Sequence, residues 1–172
     1  MNKKIKRGIS QGVLFLALFI GLSSFMARNM ISNDQQVPAL ANEAGLQALK
    51  ASPSNSNLGL TEWKDHPVHL VYFFAPWCTV CALSQPSLEA FHKLHPEIPI
   101  TLIALDWETP QEVLEYQQKH EFDLPIYLGS SAFKQQWQVD AYPSYYFVDQ
   151  DGKVKSKDRG LVTLPGLIAR SL

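Results

Sequence analysis

The sequence predicts an α/β fold, a central mixed β-sheet flanked by helices, on three observations. Short continuous apolar runs alternate with amphipathic helical stretches between Val68 and His120, the pattern of parallel strands joined by crossover helices. Beyond Ser144 two strand-like runs flank Asp149-Gln150-Asp151-Gly152, so a hairpin adds antiparallel pairing. Ahead of all this, Gly8–Ala27 is a run of 20 residues without a charge, which reads as one N-terminal transmembrane helix.

Twenty residues at about 1.5 Å each make about 30 Å of helix, the thickness of the hydrocarbon layer. Lys3, Lys4, Lys6 and Arg7 precede the run and should stay cytoplasmic by the positive-inside rule, sending the rest of the chain outward. The expected organisation is a basic start and anchor over residues 1–27 (span 8–27), a polar linker or N-terminal extension over 28–58, and a folded domain over 59–172. A cleaved signal peptide is the rival reading. Its cleavage site is poor, because Phe25 stands where a small residue is needed and only Gly21-Leu22-Ser23 offers a small-x-small pattern. Both readings put the domain outside the cytoplasm. No Cys stands at the end of the apolar run, which excludes lipoprotein processing.

The chain has 172 residues, 46% hydrophobic and 18% charged, enough for one globular domain and unlike a disordered chain. From Arg28 onward 11 basic residues face all 16 acidic ones, which argues against nucleic acid or an anionic lipid surface as partner. Cys78 and Cys81 are the only cysteines, too few for a disulfide scaffold or a four-thiolate zinc site.

Arg28 to about Leu58 is rich in Asn, Ser, Gln and Ala, with a loop at Ser52–Asn57, a short extended piece near Val37-Pro38 and a weak helix near Asn42–Lys50. Val68–Ala75 is a buried-type strand. Pro76-Trp77-Cys78-Thr79-Val80-Cys81 then opens a helix carrying Leu83, Leu88, Phe91 and Leu94, ended by His95-Pro96. Ile100–Leu105 is a second buried strand. Thr109-Pro110-Gln111-Glu112 starts a helix with an N-cap, a first-turn proline and a capping-box Glu, running to about His120. Leu124–Leu128 is strand-like, Ser130–Trp137 a short helix, Ser144–Val148 a strand turning into Lys153-Val154, and Leu164–Leu172 a closing helix.

The chemistry-bearing pair is Cys78-Thr79-Val80-Cys81, where a buried strand gives way to a helix. A thiol at a helix N-terminus meets unsatisfied N–H groups and the positive end of the helix dipole, so its thiolate is favoured. Cys81, one turn on, is placed to attack a mixed disulfide formed on Cys78. A lone CxxC also fits half a metal site or two buried thiols, and those readings stay open on spacing alone.

Two segments together carry a resemblance. Phe74-Ala75-Pro76-Trp77-Cys78-Thr79-Val80-Cys81, with Pro86 following, resembles the active-site strand, loop and first helix of thioredoxins. Val139-Asp140-Ala141-Tyr142-Pro143-Ser144-Tyr145-Tyr146-Phe147-Val148-Asp149, then Asp151-Gly152-Lys153-Val154 and Gly160, resembles the family's cis-proline loop and final hairpin. The resemblance covers about Gly59–Leu172. The 62 positions from Cys81 to Pro143, with the extra helix near Pro110–His120, are similar to the exported, membrane-anchored TlpA-like and DsbE-like branch. The resemblance implies a thioredoxin-like fold and dithiol–disulfide exchange without a bound cofactor. It makes Cys78 the exposed nucleophile, Cys81 the buried resolving thiol, Trp77 a flank of the site, and Pro143 a cis proline that leaves the Tyr142 backbone to pair with an extended substrate. It also implies exported protein substrates, a DsbD-like membrane electron donor, and a single-pass place in a bacterial inner membrane with the domain in the periplasm.

Three positions depart from the pattern. Tyr72 replaces a buried Asp that assists proton transfer, Ser84 a Glu of several exported relatives, and Ser144 the Thr after the cis proline. Asp106, Glu89 or water are then the candidates to take the proton of Cys81. Thr79-Val80 matches neither the reducing nor the strongly oxidising dipeptide of the family, so reductase stands beside oxidase or isomerase. From another class comes a copper- or zinc-binding module on the CxxC. The pairs His66-x-x-His69 and His92/His95 invite metal readings, but their spacing fits a rigid strand and a solvated helix end better. Asp149–Gly152 lacks the further ligands of a calcium loop.

Overall fold

The computed structural model describes residues 27–38, 40, 46–49, 65–121 and 124–172, besides positions 18 and 21. Strand β2 (Val68–Phe74) lies at the centre and is buried at all seven positions. Its alternate side chains enter two cores: Leu70, Tyr72 and Phe74 join one, Val71 and Phe73 the other. A strand covered on both faces has no solvent side, which is why it reads as an apolar run interrupted only by His69.

Helix α1 (Thr79–Leu94) follows β2, then strand β3 (Ile100–Ala104), helix α2 (Pro110–Lys119), strand β4 (Ile126–Gly129), helix α3 (Ser131–Gln136), strands β5 (Ser144–Asp149) and β6 (Val154–Arg159), and helix α4 (Leu164–Ser171). With strand β1 (Leu46–Ala48), the described strands form one sheet in the order β1-β4-β3-β2-β5-β6. The pairs β2–β3 and β3–β4 are parallel, and β1–β4, β2–β5 and β5–β6 antiparallel, so the sheet is mixed, as expected.

Local signals set most element ends. Thr109, Ser130 and Thr163 cap their helices by accepting backbone N–H groups of Glu112, Phe133 and Gly166. At the hairpin, Asp149 accepts the N–H groups of Asp151 and Lys153, and Gly152 takes φ 75°, a conformation that glycine adopts without a Cβ clash. That is a turn, as read from the sequence.

Residues before Val68 differ from their reading. Within the stretch Asn42–Lys50, read as a weak helix, the described residues Leu46–Ala48 form β1, paired with β4 from Leu46↔Gly129 to Ala48↔Tyr127. The open edge of β4 offers backbone partners that a weak local helix preference cannot match. Residues 27–38, read as the start of a polar extension, lie against the sheet. Met30, Ile31 and Val37 are buried with Phe73, Trp137 and Tyr146. Asp34 and Val37 donate their N–H groups to Val154 and Gly152, and Val154 donates back to Gln35. Five apolar side chains among many polar ones, Ala27 and Leu40 included, seat the strap in this core.

The membrane span expected over 8–27 lies outside the described residues except at 18, 21 and Ala27. Ala27 is buried against the domain. Among the described residues no helix is long and apolar enough to cross a membrane.

Candidate active site

Strand β2 stops at Phe74, and the Cys78 N–H donates to the Ala75 carbonyl at 3.0 Å, closing a tight turn over Pro76-Trp77. Cys78 is then the N-cap of α1, and its Sγ accepts the Cys81 N–H at 3.1 Å. The spacing of three also brings the two sulfurs together, and Cys78 and Cys81 form a disulfide with Cα atoms 5.2 Å apart. The expected contrast in exposure is small: Cys78 is 6% exposed and Cys81 1%. The ring of Trp77 stands out instead, at 62% exposure. Being the cap, not being open, distinguishes Cys78.

The Tyr142–Pro143 peptide is cis. Pro143 is buried at the head of β5, where its carbonyl accepts the Gly160 N–H, and Ser144 turns its hydroxyl onto the Ala141 carbonyl. Tyr142 is half-buried and meets Trp77 edge to face, ring centres 5.7 Å apart. The structure thus brings Trp77 and Tyr142 together as neighbours of the cysteine and proline positions.

Behind the disulfide, hydroxyls replace the family's carboxylates. Ser84 donates to the Val80 carbonyl and accepts the Val162 N–H, tying α1 to the approach of α4. Tyr72 is fully buried, and burial, reinforced by Tyr116, pushes its ionisation well above the usual tyrosine range. It stays a neutral hydroxyl that keeps its proton, able to donate a hydrogen bond but supplying no carboxylate base. Of the two acceptors considered for the Cys81 proton, Glu89 receives the Gln85 amide and Asp106 receives Tyr142 and Lys134. Asp106 lies on the rim that carries Trp77 and Tyr142. Sequence reasoning missed Lys134 altogether. Its one signal was a basic residue on a short helix, which does not distinguish it from any solvated lysine.

The histidines that invited metal readings make other contacts. His69 is buried beside Thr101, its Nε2 2.8 Å from that hydroxyl, and burial lowers its pKa to about 3. His95 pairs with Glu97 instead of sharing a site with His92. Among the described residues no three His, Cys, Asp or Glu side chains gather where they could hold an ion.

A cis-proline loop and a helix-capping CxxC disulfide, joined by the Trp77–Tyr142 ring contact on a sheet of this order, define a thioredoxin-like thiol–disulfide oxidoreductase. The chain belongs to the AhpC/TSA family, whose profile matches residues 36–157. Among curated relatives, it is 22% identical over 132 residues to the thioredoxin-like protein YneN of Bacillus subtilis, covering 70% of this chain and 76% of the relative. It is 20% identical over 170 residues to the thiol-disulfide oxidoreductase ResA of Oceanobacillus iheyensis, covering 96% and 88%. Among solved structures, StoA from Bacillus subtilis superposes with a TM-score of 0.60 at 17% identity, over 78% of this chain and all of that one. At that identity the likeness is one of fold.

Proposed function

We propose that the chain is a membrane-tethered thiol–disulfide interchange protein that reduces exported proteins on the periplasmic side of a bacterial inner membrane. The observation that carries the exchange chemistry is Cys78 Sγ at the N-cap of α1 with the Cys81 N–H directed at it. In the reduced chain that N–H faces the Cys78 thiolate and, with the helix dipole, stabilises it. The thiolate attacks one sulfur of a substrate disulfide, forming a mixed disulfide and releasing the first substrate thiolate. Cys81, deprotonated, then attacks Cys78 Sγ, closing the Cys78–Cys81 bond and releasing the second substrate thiolate. Two electrons pass to the substrate, and a membrane dithiol of DsbD-like type restores the pair. Because Tyr72 offers no base, the Cys81 proton passes to water, Asp106 or Glu89. Trp77, Tyr142 and Pro143 form the surface for the substrate strand.

Export is supported by the charge asymmetry about residues 8–27 and by the likeness to a secreted Mycobacterium tuberculosis disulfide oxidoreductase. The direction rests on the resemblance to the anchored branch, against the alternative of an oxidase or isomerase in the same place. Non-reducing electrophoresis of acid-quenched cells tests both. Cys81→Ser should accumulate a mixed disulfide with an exported protein and Cys78→Ser should not, while the wild-type pair should be found reduced. Equal trapping by both variants, or by neither, sinks the exchange roles. A wild-type pair held oxidised turns the direction round.

A further inference from the structure

Asp106 sits one residue past the point where the Leu105 N–H donates to the Phe74 carbonyl, at the mouth of the turn that carries the cysteines. Its backbone is left-handed, φ 50°, a conformation costly for most residues and best borne by Asn, Asp or Gly. That conformation serves two contacts at once. The Asp106 carbonyl accepts the Trp77 indole N–H at 3.1 Å. Its carboxylate accepts the Tyr142 hydroxyl at 2.9 Å and pairs with Lys134, whose ammonium also lies 5.4 Å from the centre of the Tyr142 ring. One residue therefore holds both aromatic rings that meet edge to face beside the redox pair.

Stability does not explain this arrangement. The Asp106 and Lys134 side chains are 38% and 27% exposed, and ion pairs so open to water add little to folding. What the contacts fix is direction: without an acceptor at its hydroxyl, Tyr142 is free to leave Trp77. Asp106 and Lys134 also line an open groove of about 410 Å³ with Asn29 and Asp140, on the side of the cluster away from the two rings.

Building on the exchange function above, we infer that Asp106 is a positioning residue for protein substrates, its carboxylate holding Tyr142 and its carbonyl holding Trp77 in the shape the substrate strand meets. Cys78 and Cys81 carry the chemistry, and Asp106 touches neither substrate nor sulfur in this role. Its loss should therefore appear in KM for a protein disulfide more than in kcat.

The test is a double-mutant cycle on the full chain with Asp106→Gly and Tyr142→Phe. Glycine removes the carboxylate while accepting the left-handed backbone and keeping the carbonyl for Trp77. The probes are insulin, a protein disulfide, and dithiobis(nitrobenzoate), a small one that needs no strand surface. Each single variant should lose about fivefold in kcat/KM with insulin, mainly through KM, the equivalent of about 1 kcal/mol for one hydrogen bond. The loss with the small disulfide should be clearly smaller, and the double variant no worse than the poorer single one, since both break the same bond. Multiplying losses, or equal losses on both probes, overturn the role. Should Asp106→Gly fold poorly, Tyr142→Phe alone must still show the insulin-selective loss, or the role falls. A wild-type chain inactive on both probes sinks the exchange function and this inference together, whereas an active one with unaffected variants sinks the inference alone.

Discussion

The backbone N–H of Cys81 points at Cys78 Sγ from 3.1 Å, so the helix begins by capping itself with the sulfur it activates. Caps are usually oxygens of Ser, Thr, Asp or Asn. A sulfur there couples the start of α1 to the charge of Cys78, because the group that satisfies the helix is also the nucleophile.

Alkylation should report that asymmetry. At about pH 6, the lone thiol of Cys81→Ser should react with iodoacetamide at least about tenfold faster than that of Cys78→Ser, since helix N-termini lower thiol pKa values by one unit or more. Both sulfurs are nearly buried, so the difference should follow thiolate fraction and shrink as pH approaches 9. Matching rates across the whole range would remove the N-cap as the cause.

His69 predicts how stability responds to acid. Its folded pKa is lowered to about 3, chiefly by burial and then by His66, against about 6.5 unfolded. Between these values the unfolded chain binds the extra proton. The contribution is complete above about pH 6.5 and is lost as pH falls toward 3, with a slope of up to about 1.4 kcal/mol per pH unit. Urea melts of His69→Gln, which does not titrate, should show a shallower slope over this window. An unchanged slope would mean that His69 is protonated in the fold or does not contribute.

Lys157 holds the N-terminal strap through the carbonyls of Met30 and Ile31, at 3.0 and 2.9 Å. Lys157→Met should weaken the strap by about 1.5 kcal/mol, the low end of the range for hydrogen bonds to a charged group because the ammonium is only partly buried. Hydrogen exchange at the Asp34 and Val37 amides, bonded to Val154 and Gly152, should then quicken by about tenfold while amides of β2 keep their protection. Faster exchange throughout the sheet would mean that the strap and core unfold as one unit.

For topology, a reporter fused after Leu172 should be active outside the cytoplasm, and moving the four positive charges of Lys3, Lys4, Lys6 and Arg7 to the far side of residues 8–27 should reverse it. Activity confined to the cytoplasm in the unaltered chain would refute both the anchor and the signal-peptide readings.

Much of the architecture was readable in one dimension because its causes are local. Thr109-Pro110 and Ser130 cap helices with their own side chains, Asp149–Gly152 makes its turn with its own carboxylate, and β2 announces two-sided burial by composition. The cysteine pair was legible for the same reason, since its sulfurs meet within one helical turn, whereas the proline of the cis bond was read from the family resemblance. The strap over residues 27–38 and the edge strand β1 were not, for their stability comes from Tyr146, Lys157 and the open side of β4, far along the chain. Nor were the burial of Cys78 and the cluster of Asp106, Lys134, Tyr142 and Trp77. Trp77 and Asp106 are 29 positions apart, and Asp106 and Tyr142 36. A polar residue on a turn carries no mark of its partner until the sheet closes, so the sequence by itself determined the reactive pair and the elements that present it. The surface around that pair was decided only by tertiary packing, because hydrogen-bond geometry between distant segments exists only once the core fixes where their backbones lie.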